Sequence, residues 1–543
     1  MRWQKSIYIL LVLLISTVAT LIFVNPQFAL INWHEFMHAS IVFNIMNGVV
    51  PPEDTLLAGY PLKYPWAHHY LVSWLCQIGN ISPPIGFALL NILALAVSAW
   101  AIFKTAQLLH PLRQTGIFAV FLSIFCTSIF FIQELKRFGN DILPIDERVL
   151  PLHKFAHGNG NGLGFGLFFI CLFFLIRLFA NREKSYINGV GIGVSIAATA
   201  FLYPIYWLAM GISCVLVCLG QAIAKRGKNG QSILIVLLAV FFGSAIASPY
   251  LHSINAGRAS TAAMSLNFQI QNRLITLFLV SSLPLLILWV KRQKLKTLLH
   301  NRSSEVLTLI YAAISLSLLY TFITIPIETQ YKFLMLLVGI ISILIAPFFA
   351  SFNQENSLFA KPIIVLLFLP TVLMFTGMFM QINFADTVHT SGVEIRHNDT
   401  RMDKLYSWIA TNTPVDAVVV DSFRTIPVLS RRSLYISTDF RRKQDPSWKK
   451  FDGWSMNSRM ISTQVFGQDQ EVVKKRLQNA IALLTPNSEA IVNAAAESIK
   501  QEFPQRQVIV IVRDPSVKSV FDINQNFAKI FEESAISVYK IAS

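Results

Sequence analysis

Two histidines bracket an acid in the run His34-Glu35-Phe36-Met37-His38. On a helix the i,i+4 spacing puts both imidazoles on one face, and Glu35 between them has the chemistry of a general base, the H-E-x-x-H pattern of zinc proteases. Such a site needs a third ligand, and only Glu53 or Asp54 stands near enough in the chain to supply one. The same acids can work without metal. The helix carrying Glu35 and His38 is stopped by Asn47-Gly48 and Pro51-Pro52, the pair Glu53-Asp54 follows at once, and a turn-rich stretch then brings Tyr60, Lys63, Tyr64, His68 and His69. A carboxylate within reach of a hydroxyl takes its proton, and a cation absorbs the charge that develops on a phosphate leaving group. Lys332, four residues after Glu328, offers such a cation, as do Arg137, Lys154, Arg258 and Arg273. Each group also has a plainer use. Glu328 and Lys332 make an i,i+4 ion pair, the arginines and Lys154 snorkel to an interface, and the histidine-bearing stretch is a solvated loop with interfacial aromatics.

What positions these residues is a membrane. The chain has 543 residues, 54% of them apolar and 14% charged, with mean hydropathy +0.53; soluble domains carry about 25% charged residues. The charges are uneven. Residues 1–400 hold 25 Lys/Arg and 14 Asp/Glu, against 20 and 15 in residues 401–543. A membrane module (1–382) followed by a soluble domain (383–543) accounts for that split, and excludes a disordered, collagenous or disulfide-framed chain. The five cysteines lie in or beside apolar runs, and none is in the tail. The net charge of +16 is spread in short runs between apolar stretches, which argues for membrane topology rather than nucleic acid.

A span needs about 20 apolar residues. Runs at 7–24, 83–103, 116–132, 161–180, 187–205, 207–223, 232–250, 273–290, 304–325, 331–350 and 362–382 give about eleven, with Tyr203-Pro204 the sole break inside 187–223. With the N-terminus cytoplasmic, the basic loops at 104–113, 177–184, 225–228 and 291–302 all fall inside, and an odd number of spans places the tail outside. The long loops 25–82 and 133–160 are then external and hold seven of the eleven acids of residues 1–382. Cell inner (plasma) membrane, multi-pass, with a periplasmic tail, is the expected location. The tail reads as α/β: helices at 401–411, 470–484, 488–502 and 524–533, strands at 417–421, 434–437, 508–512 and 536–541.

These features resemble the glycosyltransferase C superfamily, polytopic enzymes that use lipid-phosphate-linked sugars. The resemblance is carried by Glu35 and His38 directly after the first span, and by the run Gly48, Pro51-Pro52-Glu53-Asp54, Gly59, Pro61, Tyr64-Pro65. It is carried further by Asp146-Glu147-Arg148 and His153-Lys154-Phe155 before a glycine-rich 158–166, and by Glu328 to Phe333 before a late span. The chain departs from the family in carrying His34-Glu35 where an Asp or an Asp-Glu pair is usual. The resemblance implies an α-helical polytopic membrane protein with a C-terminal extracytoplasmic α/β domain. It implies transfer of a hexosyl or pentosyl group from a polyprenyl-phosphate donor, with inversion, to a glycan, lipid or protein acceptor. Glu35 would be the base, with Glu53 or Asp54 as its partner. His38, Tyr60, Lys63, Tyr64, His68, Arg137, Lys154, Arg258 and Lys332 would bind substrate. No particular cofactor is indicated, and a divalent metal is compatible. The glycines of 158–166 read as close helix packing rather than a phosphate cradle. A zinc protease is one rival. A lipid or sugar transporter or flippase is another; it would place ionisable residues at mid-bilayer, where this chain has almost none.

Overall fold

The structure, a computed structural model, describes residues 33–125, 155, 159–180, 185–227, 229–256, 264–325 (without 267 and 269), 330–354, 400–421, 426–436 and 467–542 (without 487). The runs at 7–24 and 362–382, most of the loop 133–160, and Arg137, Lys154, Arg258 and Glu328 lie outside them. The backbone of Glu35 is described, but its side chain is not. The chain divides into two compact units: 1–25, 87–252 and 264–383 form one, and 26–86, 253–263 and 384–543 the other.

In the first unit, seven described helices are long and apolar enough to cross a membrane: Pro83–Leu109, Asn161–Ala180, Ser185–Leu202, Pro204–Ala224, Gly230–Asn255, Ser303–Phe322 and Tyr331–Ala350. An eighth, Gln271–Ser282 with Pro284–Val290, bends by 42°, because Pro284 removes one helical N–H and crowds the preceding turn. The expected run at 116–132 begins as the shorter helix Arg113–Ile124. Seven or eight spans are therefore seen among the described residues, against about eleven expected from the sequence. Pro204 ends one helix and opens the next, since it is tolerated only where the N–H has no helical acceptor. The Tyr331–Ala350 helix is the hub, with 89% of its most apolar window buried. Phe118 packs against its Phe349, and Phe169 lies against its Gly339. The Gly230–Asn255 helix is peripheral and exposes Leu234, Phe241, Phe242 and Ile246, the side chains expected to meet lipid. The short strands β1 (Ser265–Leu266) and β2 (Ile323–Thr324) pair antiparallel.

The second unit is a three-layer α/β/α domain. The strands β3 (Val418–Val420), β4 (Ser433–Leu434), β5 (Val508–Val512), β6 (Phe527–Glu533) and β7 (Ile536–Ile541) lie in the order β4-β3-β5-β7-β6. The first three run parallel, and the β5–β7 and β7–β6 pairs are antiparallel. Period-2 alternation splits β5 cleanly. Val508, Val510 and Val512 face the helices Gln470–Leu484 and Glu489–Glu502, whereas Ile509 and Ile511 face the opposite layer. That opposite layer holds Thr400–Asn412 and, unexpectedly, the Trp33–Met46 helix, which lays Met37, Ile41 and Ile45 onto the sheet. The helix that bears Glu35 is thus part of the tail's own core. This departs from the expected division at residue 382/383, because an i,i+4 apolar stripe is buried wherever a matching sheet face exists.

The expected last helix at 524–533 is also corrected. Residues 527–533 form a strand, and the helix is Pro515–Asp522. Asp514 caps that helix by accepting the Ser516 N–H, and Pro515 follows at its first position. Ser534, at φ 54°, turns β6 back onto β7.

Candidate functional site

The acidic loop after the Trp33–Met46 helix is bound tightly to the α/β unit. Glu53 accepts two parallel bonds from Arg506, 3.0 Å at Oε2 and 3.1 Å at Oε1. Its Oε1 also accepts from Ser433 Oγ at 2.5 Å, and its Oε2 from the Gly59 N–H at 2.9 Å. Burial alone would raise the Glu53 carboxyl, but the bonds from Arg506 and Ser433 and the charge of Arg506 hold it below its ordinary value. Asp54 is fully buried. Burial pushes it up to about 7, against the pull of the Leu56 N–H and Gln468. Thr55 and Ala58 make backbone bonds to Leu434 of 2.9 and 2.8 Å, so the loop covers the edge of β4.

Tyr60 forms one wall of a cage around buried Arg476, its ring 4.8 Å from the guanidinium, with Tyr435 and Phe503 at 4.9 and 5.0 Å. Arg476 donates to the carbonyls of Ala58 and Tyr435 and pairs with Glu502. Lys63 Nζ reaches the Gly467 carbonyl at 3.5 Å. Glu53 and Asp54, expected as base partner or metal ligand, are engaged here in fastening the loop to the domain. The partners Arg476 and Arg506 lie more than 400 residues away in sequence, and nothing in their spacing marks them.

His38 stands one turn after Glu35 on the same helix. Its Nδ1 lies 2.7 Å from His69 Nε2, with the rings stacked at 4.9 Å. One imidazole donates and the other accepts. Tyr64 packs against both rings, and His68 lies edge-on to His69. Burial lowers His68 to about 3, so it is neutral at physiological pH. Three of the expected binding residues (His38, Tyr64 and His68) are therefore brought together, around His69. Among the described residues no group of three or more His, Cys, Asp or Glu side chains is arranged to hold a metal.

A second cluster lies within the membrane unit. Lys332 Nζ sits 5.0 Å from the Tyr203 ring centroid and 6.0 Å from that of Tyr331. Tyr203 and Tyr206 pack at 4.9 Å, and the Tyr206 hydroxyl donates to Asn161 Oδ1 at 2.6 Å. Gly164 has no side chain to keep these tyrosines away: a Cβ there would stand 2.8 Å from both. The three helices meeting here, Asn161–Ala180, Pro204–Ala224 and Tyr331–Gln354, all do so at their N-termini. Helix N-termini carry partial positive charge and favour anions. No acidic residue lies in the first turn of any of the three, and Lys332 brings a basic side chain to the same place. Sequence reasoning found Lys332 but not Tyr203, Tyr206 or Asn161, although the Tyr203-Pro204 break marked the place. Arg273 is used otherwise. It bonds the carbonyls of Tyr320, Thr321 and Ile323 at 3.0–3.2 Å, closing the C-terminus of the Ser303–Phe322 helix.

A family model described as an uncharacterized membrane protein, DUF2298, matches residues 1–140. No curated protein matches the chain. Among solved structures, the chain is similar to ArnT from Cupriavidus metallidurans bound to undecaprenyl phosphate, with TM-score 0.50 and 11% identity over 98% of this chain and 97% of that one. It is similar also to the archaeal oligosaccharyltransferase AglB from Archaeoglobus fulgidus, in complex with an inhibitory peptide and a dolichol-phosphate. There the TM-score is 0.50 at 11% identity, over 94% and 70% of the two chains. The apo form of the Archaeoglobus fulgidus oligosaccharyltransferase gives 0.51 at 12%, over 94% and 69%. The chain shares the overall fold of these membrane proteins.

Proposed function

We propose that this protein is a membrane glycosyltransferase that moves a sugar from a polyprenyl-phosphate donor to an acceptor at the outer face of a bacterial inner membrane. The observation that carries the reading is the meeting of three helix N-termini beside Lys332 in the membrane unit, because helix N-termini favour anions. Phosphate is the anion a lipid-borne sugar would present there. In the reaction the acceptor oxygen attacks the anomeric carbon, the carbon–oxygen bond to phosphate breaks, and polyprenyl phosphate leaves with the electron pair. Attack from the face opposite the leaving group inverts the configuration.

Glu35 is assigned as the base that takes the acceptor proton. His38 and His69 hold its helix, and Glu53 and Asp54 hold the following loop to the α/β unit. Arg137, Lys154 and Arg258 remain assigned to substrate binding on sequence grounds. Lys63, Tyr64 and His68 are assigned to the acceptor side, and Tyr60 to the support of Arg476. The shared fold with two proteins whose structures hold polyprenyl phosphates supports the donor class.

The test is binding of polyprenyl phosphate, compared with the matching polyprenol, to wild type and to Lys332→Gln in detergent. A charge-assisted contact contributes about 1.5–3 kcal/mol, so Lys332→Gln weakens phosphate binding roughly 10- to 100-fold and leaves polyprenol binding unchanged. Equal affinity of the wild type for the two lipids would remove the basis of the proposal.

A further inference from the structure

The two ends of the Pro204–Ala224 helix are chemically unlike. Its N-terminus meets the tyrosines beside Lys332. Its C-terminus, 21 residues on and so about 30 Å away, runs into a basic turn at 225–227. Between Glu183 and Glu305 the chain has no Asp or Glu, and two short runs of that stretch, 225–228 and 291–302, hold eight Lys and Arg.

The fold brings the two runs together. Gln221, buried at the end of the Pro204–Ala224 helix, donates to the Ser304 carbonyl at 2.8 Å and to Thr308 Oγ1 at 3.1 Å. It accepts from Asn229 Nδ2 at 3.4 Å, so both ends of the turn are tied to the same residue. Lys225 Nζ donates to Ser303 Oγ at 2.7 Å. These bonds seat the turn against the start of the Ser303–Phe322 helix, where the helix Arg292–Asn301 ends. The latter packs Leu298 and Leu299 on the bundle and leaves Arg292, Lys294 and Lys296 exposed. The nearest acid in sequence, Glu305, is buried and pairs with Arg302 at 3.3 Å.

We propose that the turn at 225–227 and the helix Arg292–Asn301 form a site for the phosphate headgroup of an anionic phospholipid, whose acyl chains lie along the Pro204–Ala224 helix. Two observations select a lipid. Val215, Leu219 and Ile223, exposed by 39, 54 and 77%, form one i, i+4, i+8 stripe that leads into Lys225 and Arg226. On the Gln271–Val290 helix, exposed Leu285 and Trp289 likewise lead into Lys291-Arg292, and the Arg292 guanidinium stands 5.8 Å from the Trp289 ring. Apolar stripes that end in basic side chains match a molecule that is apolar along its length and anionic at one end. Basic residues beside a span attract such headgroups. A nucleic acid or an acidic protein would leave both stripes in water. The site is a bilayer's thickness from Lys332 and does not depend on the transferase reading.

The test is native mass spectrometry of the full-length protein in detergent, titrated with dioleoylphosphatidylglycerol and, in parallel, with dioleoylphosphatidylcholine, which has the same chains and no net charge. Each Lys or Arg beside an anionic headgroup tightens binding roughly fivefold, so Lys225→Gln/Arg226→Gln should weaken phosphatidylglycerol binding at least about tenfold and leave phosphatidylcholine binding unchanged. Arg226→Gln alone keeps the Lys225–Ser303 bond and should weaken it roughly fivefold, which decides the matter if the double variant melts below wild type. Lys225→Arg/Arg226→Lys, which keeps the charge, should bind as wild type does. Lys104→Gln/Arg113→Gln, at another loop, should leave phosphatidylglycerol binding unchanged. Equal affinity of wild type for the two lipids would overturn the proposal. Equal losses in the two double-glutamine variants would overturn it too, in favour of diffuse charge. Displacement of the lipid by glycerol 3-phosphate would do so in favour of a site for free phosphate.

Discussion

Asp54→Asn separates a carboxylate that fastens the loop from one that does chemistry. Asp54 is fully buried, and its folded pKa is about 7 against an ordinary 3.8. Between those values the folded state holds a proton that the unfolded chain has lost, so stability falls as pH rises from about 4 to about 7. At 1.36 kcal/mol per pKa unit the loss amounts to about 4 kcal/mol. Asparagine has nearly the same shape, keeps an oxygen for the Leu56 N–H and never ionises. The buried Oε1 of Gln468, which has no partner, can receive its amide. The variant is therefore expected to match wild type near pH 4.5 and to be more stable at pH 8. The gain in Tm should be roughly 10 °C, at about 2–4 °C per kcal/mol for a unit of this size. Thermal unfolding of the full-length protein in detergent, followed by tryptophan fluorescence at both pH values, measures it. An offset that is the same at pH 4.5 and pH 8 would refute a buried, proton-holding Asp54.

Other expectations follow from the same contacts. Arg506→Met leaves Glu53 half-buried and unpaired, which should cost about 2–3 kcal/mol, somewhat less than a fully buried pair. Glu53→Gln in the same chain should recover part of that loss, and a double-mutant cycle by denaturant titration reads the coupling. Gly164→Val would force its Cβ into Tyr203 and Tyr206 and should destabilise the membrane unit by about 1–3 kcal/mol. Gly211→Val, with open space around it, is the matched control and should leave the detergent melting temperature within about 1 °C.

Legibility of the fold followed the range of the forces involved. Apolar runs and proline punctuation located the helices, because both act within one segment: Tyr203-Pro204 was read as a break, and it is one. The helix 470–484 and the strand 508–512 were legible from their period and caps. Residues 527–533 were misread as helix because FAKIFEE carries a helix-compatible pattern, and it was pairing with β7 that decided its state. The largest gap was the recruitment of the Trp33–Met46 helix and the Glu53 loop into the α/β unit. That depends on contacts such as Glu53–Arg506 across 453 residues, which no local pattern encodes. At the candidate site, Lys332 was visible as a lone cation, but its tyrosine neighbours became visible only when three helix ends met.

The most direct test of the account is turnover of a polyprenyl-phosphate-linked sugar by purified wild type and by Glu35→Gln, reading both release of free polyprenyl phosphate and binding of the donor. A general base contributes about 10²–10⁴-fold, so Glu35→Gln should bind the donor as wild type does and release product at least 100-fold more slowly. Full-rate release by Glu35→Gln, or no release by wild type with any polyprenyl-phosphate sugar and acceptor fraction offered, would contradict it.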